Sequence, residues 1–189
     1  HRSDESGTTG NFTDTMAQAA PTTWLLDGEN AGDFESWPAA WGGEGGNATS
    51  GVMAAIAAGN GTIGYADASK AGKLSVANIK VGDKFIKYTP EAAAAVVADG
   101  SVVEGRDASD MAIKIDRTTT DATHYPIVLV SYLIGCNEYA KAGVANLVKP
   151  YFTYILSEQG QLDAQANAGS APLTRAVADK ALAIVAAVK

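Results

Sequence analysis

An arginine and an aspartate two residues apart, Arg2 and Asp4, run directly into Ser6-Gly7-Thr8-Thr9, followed by a stretch with Phe12 and Met16 at helical spacing. The first turn of a helix carries backbone N–H groups without intrahelical partners, and the macrodipole makes that end partly positive. Gly7 lets a ligand come close to the main chain, while Ser6, Thr8 and Thr9 offer hydroxyl donors. The Arg2 guanidinium is a planar fork matched to a tetrahedral oxyanion. Together these residue types describe an anion site, with phosphate as the best-fitting ligand. Residues i and i+2 of an extended strand share a face, so Asp4 is expected to hold the guanidinium in place. By spacing alone the same residues also fit a capped surface helix that carries an incidental arginine.

Other chemistries find little material. The two histidines are His1 and His124, and no Gly-x-Ser-x-Gly, His-Glu-x-x-His or cysteine cluster is present. No catalytic residue, metal site or cofactor is therefore expected. Gly43-x-Gly45-x-x-Ala48 loosely matches a dinucleotide fingerprint, but residues 36–40 do not read as the strand that motif requires. Turn geometry needing positive φ is the simpler reading. Asn11, Asn47 and Asn60 each open a glycosylation tripeptide of a kind that arises by chance. Trp24, Trp37 and Trp41 read as core, with a sugar-stacking platform as the alternative.

The chain has 189 residues, 47% of them hydrophobic and 19% charged, with 20 glycines and a formal charge of −7. About 150 residues suffice to bury roughly 70% of the unfolded surface, so one large or two small α/β domains fit, and disorder does not. Nucleic-acid binders concentrate positive charge, and this chain has no Lys/Arg run, which excludes nucleic acid as a partner. A negative chain that binds an anion must rely on local dipoles and a buried cation, since long-range steering opposes it. No apolar run reaches the ~18 residues needed to cross a membrane. Cys136 stands alone and reads as a small buried hydrophobe, with half of a bridge to an N-terminal segment outside this sequence as the alternative.

The elements that must position Arg2 to Thr9 follow from periodicity. A helix is predicted over about 8–20, stopped by Pro21. Residues 21–46, rich in Trp, Gly and Pro, read as a packed irregular loop. A helix over about 50–58 leads through Asn60-Gly61 into a strand at 62–65. A short helix over 66–72 and strands near 74–79 and 84–88 follow. Thr89-Pro90-Glu91 starts a helix that runs to about residue 98. A short helix or strand falls at 109–115, and 118–121 reads as linker. The apolar, β-branched run 126–134 predicts a strand buried on both faces. Val144, Leu147, Val148, Tyr151, Phe152 and Ile155 predict a helix kinked or restarted at Pro150. A last helix begins near Ser170 and Pro172 and carries Leu173, Val177, Ala181, Ile184 and Val188 on one face.

The order Arg2-x-Asp4-x-Ser6-Gly7-Thr8-Thr9-x-x-Phe12-Thr13 resembles the phosphate-binding proteins that deliver inorganic phosphate to an ABC transporter. Gly42-Gly43-Glu44-Gly45-Gly46-Asn47 with Ser50-Gly51-Val52 is similar to that family's Gly-rich turn and helix start. Thr62-Ile63-Gly64-Tyr65 is similar to its strand, and Tyr125-Pro126-Ile127 to the strand leading back to its first lobe. The resemblance spans nearly the whole chain, but family members begin well before this motif.

The resemblance implies a type II periplasmic-binding-protein fold, two α/β lobes joined by crossover strands with the ligand between them. Residues 1–122 would then form a partial second lobe, and 123–189 the crossover strand and C-terminal helices returning to the first. The missing N-terminal lobe segment of the same protein becomes a partner, as do the ABC-transporter permease subunits. The resemblance further implies phosphate contacts from Arg2, Ser6, Gly7 and Thr8, support from Asp4 and Thr9, and an acidic residue in the other lobe that selects a protonated oxyanion. It places the protein outside the cytoplasm, with a lipid anchor conceivable ahead of residue 1. An enzyme acting on phosphate esters, or a sensory or adhesive module on the same fold, are the alternatives.

Overall fold

The computed structural model describes all residues, His1–Lys189. The chain divides into two compact units, His1–Tyr88 with Arg117–Leu129, and Thr89–Asp116 with Val130–Lys189.

The first unit opens on α1, Gly7–Ala19, capped by Ser6, whose hydroxyl accepts the Thr8 N–H at 3.1 Å. Side-chain caps of this kind satisfy one of the orphan donors of a helix start. The buried stripe of α1 contains Thr9 and Thr13, both fully covered, beside Phe12 and Met16. Buried hydroxyls need partners, and Thr13 Oγ1 supplies its own by donating to the Phe34 carbonyl (2.9 Å) while accepting the Phe34 N–H (3.0 Å). That exchange pins the irregular 21–46 segment against α1. Within the segment, β1 (Leu25–Leu26) and β2 (Glu29–Asn30) pair through Asp27-Gly28, both at positive φ. An Asp-Gly hairpin turn favours this conformation, which places a short hairpin where an irregular loop is expected.

α2, Ala48–Ala58, packs its start against the chain's opening residues. Arg2 bridges Gly46 in parallel, with Gly46 N–H donating to the His1 carbonyl and Ser3 N–H to the Gly46 carbonyl. A Cβ on Gly46 would overlap the Gly51 carbonyl and the Val52 nitrogen, so this crossing requires glycine. β3 (Ile79–Val81) and β4 (Lys84–Ile86) form a second hairpin around Gly82-Asp83.

The second unit contains α3, Pro90–Ala98, whose cap Thr89 accepts the Ala92 N–H at 3.1 Å. Ala93, Val96 and Val97 form its buried face. β5 (Ser101–Val102) pairs with β6 (Ile113–Lys114). Three helices complete the unit: α4 (Val144–Leu156), α5 (Glu158–Ala168) and α6 (Arg175–Ala187), with α4 packed on both others. Ser157 ends α4 and caps α5, donating to the Tyr154 carbonyl (2.6 Å) and accepting the Gly160 N–H (3.1 Å).

The structure corrects several local expectations. Residues 62–65 belong to no strand, and the same holds for 126–134. Leu129, Tyr132, Leu133 and Ile134 are exposed, Ile134 at 92%. A strand is defined by a ladder to a neighbour's backbone, and the neighbours of these runs are side chains, such as Arg117 on the Pro126 and Val128 carbonyls and Ile56 beside Gly64. Cys136 is exposed rather than buried, with its N–H donating to the Tyr139 hydroxyl (3.0 Å). α4 continues through Pro150 without a restart. α6 starts at Arg175 instead of near Ser170; its cap residue Thr174 is extended, and the Leu173 N–H donates to the Gln161 side chain at 2.8 Å.

Candidate functional site

Arg2 and Asp4 form the best-defined charged pair of the first unit. The guanidinium meets the carboxylate along one edge, Nε to Oδ1 at 2.8 Å and Nη2 to Oδ2 at 2.5 Å. The Arg2 side chain is 13% exposed and that of Asp4 32%. Asp4 Oδ1 also accepts the Ala48 N–H at 3.1 Å, at the start of α2. The hydrogen bond from Arg2 is the main cause holding the Asp4 carboxyl well below the usual carboxylate range, with the Ala48 N–H adding to it and burial opposing it. The same bond raises the Arg2 pKa. With Nε and one side of Nη2 committed to Asp4, the Nη1 hydrogens and the second Nη2 hydrogen keep their donor capacity for an oxyanion.

Four residues on, the start of α1 presents a second donor set. Gly7 is exposed, and nothing lies within 4 Å of where a Cβ would stand. Its N–H has no acceptor within the chain, as expected of a first-turn group. The Thr8 hydroxyl is likewise uncommitted, whereas the Thr8 N–H is already taken by Ser6 Oγ. Ser6 itself is buried, its N–H donating to the Glu35 carbonyl at 3.0 Å. Thr9 turns inward and is fully buried, with its hydroxyl 2.8 Å from the Tyr65 hydroxyl.

Behind these groups lies an aromatic wall. Phe12 stacks on Tyr65 (4.5 Å, 13°), and Trp24, Phe34, Trp37 and Trp41 meet edge to face or stacked at 4.5 to 6.2 Å. Such pairs add rigidity beyond the area they bury. The tryptophans contact one another, yet each is half-buried and none belongs to the buried core. A recess of about 360 Å³ opens beside them, lined by His1, Arg2, Asp4, Glu5, Trp37 and Gly43 among others. It includes the Arg2–Asp4 pair but not Ser6, Gly7 or Thr8. Of the sequence-derived set the recess therefore covers Arg2 and Asp4 alone. Nowhere in the chain are three or more His, Cys, Asp or Glu side chains gathered as metal ligands.

Two residues near the site carried no signal in the sequence reading. Tyr65 was noted only as the end of a strand, yet its hydroxyl also accepts the Arg2 N–H at 3.2 Å. Arg117 lay in a stretch read as unclear, yet it is buried, with Nε donating to Asp14 Oδ2 (2.9 Å) and Nη1 to the carbonyls of Pro126 (2.6 Å) and Val128 (3.2 Å). It ties α1 to the returning segment. Both roles depend on tertiary neighbours and have no local pattern.

The first unit thus sets an Arg–Asp pair beside a helix start with open donors in a chain of mixed helices and small sheets. A family profile described as a PBP superfamily domain matches residues 1–159, and the chain belongs to that superfamily. Among characterised relatives, it is 32% identical over 157 residues to the phosphate-binding protein PstS 3 of Mycobacterium tuberculosis, an alignment covering 79% of this chain and 40% of the relative. Phosphate-binding protein PstS3 of Mycobacterium bovis matches to the same extent. The chain thus spans less than half the length of the relatives it resembles.

Proposed function

We propose that this chain contributes to the extracytoplasmic capture of inorganic phosphate and its delivery to the permease subunits of an ABC transporter, without chemistry on the ligand. The observation that carries the proposal is the edge-on Arg2–Asp4 pair, which orients a guanidinium four residues ahead of a helix start whose Gly7 N–H and Thr8 hydroxyl have no partner. In this reading Arg2, Ser6, Gly7 and Thr8 contact phosphate, and Asp4 and Thr9 support them. Water around the anion is replaced by aimed N–H and O–H groups, and closure of a second lobe strengthens those bonds by excluding solvent. Residues 1–122 would supply one wall of the cleft, and 123–189 would return to the other lobe. The names of the relatives support phosphate as the ligand, and their greater length supports a second wall from outside this chain.

Calorimetric titration of the full-length protein with inorganic phosphate, and with sulfate for comparison, tests the ligand. Saturable phosphate binding that Arg2→Ala abolishes or weakens supports the site. No heat with phosphate, or tighter binding of sulfate, would sink it. Phosphate uptake by cells lacking the gene tests delivery, and uptake equal to that of the parent strain would separate binding from transport.

A further inference from the structure

Resting on the phosphate reading above, we infer that Tyr65 is a positioning residue that sets the distance between the Arg2 guanidinium and the N-terminus of α1. An anion held by both groups needs them fixed to within about 0.5 Å of the productive geometry. Between them lie only Ser3 to Glu5, which belong to no helix or strand ladder. Local secondary structure therefore does not fix their spacing. The Tyr65 hydroxyl does, because one oxygen accepts the Arg2 N–H (3.2 Å) and shares a hydrogen bond with Thr9 Oγ1 (2.8 Å) in the first turn of α1.

The phenol is itself well held. Its ring stacks on Phe12, one turn further along α1, at 4.5 Å and 13°. The preceding Gly64 lets the segment lie against α2, since a Cβ there would stand 2.7 Å from Ile56 Cδ1 and 3.4 Å from Val52 Cγ1. Thr9, the other end of the link, is fully buried and cannot exchange its partner for solvent. A side chain 56 residues away from α1 in sequence thus holds the two donor sets in register, without any contact to the anion being required of it.

The test is a double-mutant cycle on inorganic phosphate affinity, measured by calorimetry or displacement titration on the full-length protein. Tyr65→Phe keeps the ring and its stack and removes only the hydroxyl. It should weaken phosphate binding by about 3- to 10-fold, the range of one neutral hydrogen bond. In the Arg2→Ala background the same change should weaken it less than about 2-fold, because no guanidinium remains to be placed. A second variant, Thr9→Val, should weaken binding in the same direction and add little to Tyr65→Phe. Amide exchange at Arg2 should accelerate in Tyr65→Phe. Unchanged affinity in both Tyr65→Phe and Thr9→Val would overturn the inference. So would an equal loss in both Arg2 backgrounds, which a purely structural role predicts, or an unchanged Arg2 exchange rate. Absence of phosphate binding by the parent protein is read before any variant is made; it refutes the functional reading and this inference with it.

Discussion

Replacing Arg2 by alanine should cut phosphate affinity by about 2–5 kcal/mol, or roughly 30- to 5,000-fold in Kd. The magnitude has two sources in the structure. The first is the loss of charge-assisted hydrogen bonds to the anion, each about 1.5–3 kcal/mol. The second is Asp4, which stays in place because the Ala48 N–H still holds it at 3.1 Å. Its carboxylate would then face an incoming anion with no cation between them. Asp4 is 32% exposed, so water screens part of that repulsion, which places the expected value toward the lower end of the range. Arg2→Lys keeps the charge but loses the edge-on fork, and should fall between the two. Calorimetric titration of parent, Arg2→Lys and Arg2→Ala proteins with phosphate at constant ionic strength measures all three. A Kd for Arg2→Ala within about threefold of the parent would refute the reasoning and remove Arg2 from the site.

Thr8→Val deletes one hydroxyl and leaves the backbone intact; it should cost about 1–2 kcal/mol of phosphate affinity, less than Arg2→Ala, and the opposite ranking in the same titration would show the contacts to be misassigned. Asp4 contributes stability through a folded pKa held below the usual 3.8, so that contribution is fully present above pH 3.8 and is lost as pH falls further. Thermal melts of parent and Asp4→Asn proteins should accordingly differ by a constant amount from pH 7 to about pH 5 and converge in more acidic buffer; a gap that widens on acidification contradicts the pair. Arg117→Met leaves two backbone carbonyls and Asp14 without their donor, and should destabilise the first unit by about 2–4 kcal/mol. Urea denaturation monitored by tryptophan fluorescence measures this, and a shift under about 0.5 kcal/mol would show that the link is dispensable.

The sequence disclosed those parts of the molecule whose determinants are local. Ser6-Gly7-Thr8-Thr9 announces a capped helix start, and Thr89-Pro90-Glu91 does so for α3, because cap chemistry acts within one turn. Asp27-Gly28 carried an equally local hairpin signal, overshadowed by the Trp and Gly content around it. The strands expected at 62–65 and 126–134 were read from a turn signal, a β-branched apolar run and the family resemblance. Composition shows that a segment suits a sheet, but not that a neighbouring strand exists to complete it. Arg2 and Asp4 were legible as a pair because i and i+2 share a face in extended chain. Tyr65 and Arg117 were not, since each joins segments separated by many residues and neither distance leaves a mark in the local pattern.

The exposed stretch Leu129 to Ile134 has a consequence for how these 189 residues, isolated by themselves, would behave in bulk solution. A chain with a formal charge of −7 repels its own copies, and at low ionic strength that repulsion reaches roughly 30 Å. At 0.15 M salt the range shrinks to about 8 Å, close enough for one unpaired apolar ribbon to meet another. Added salt, which steadies many proteins on storage, would here strip away the colloidal barrier and leave backbone-to-backbone association between copies as the favoured contact.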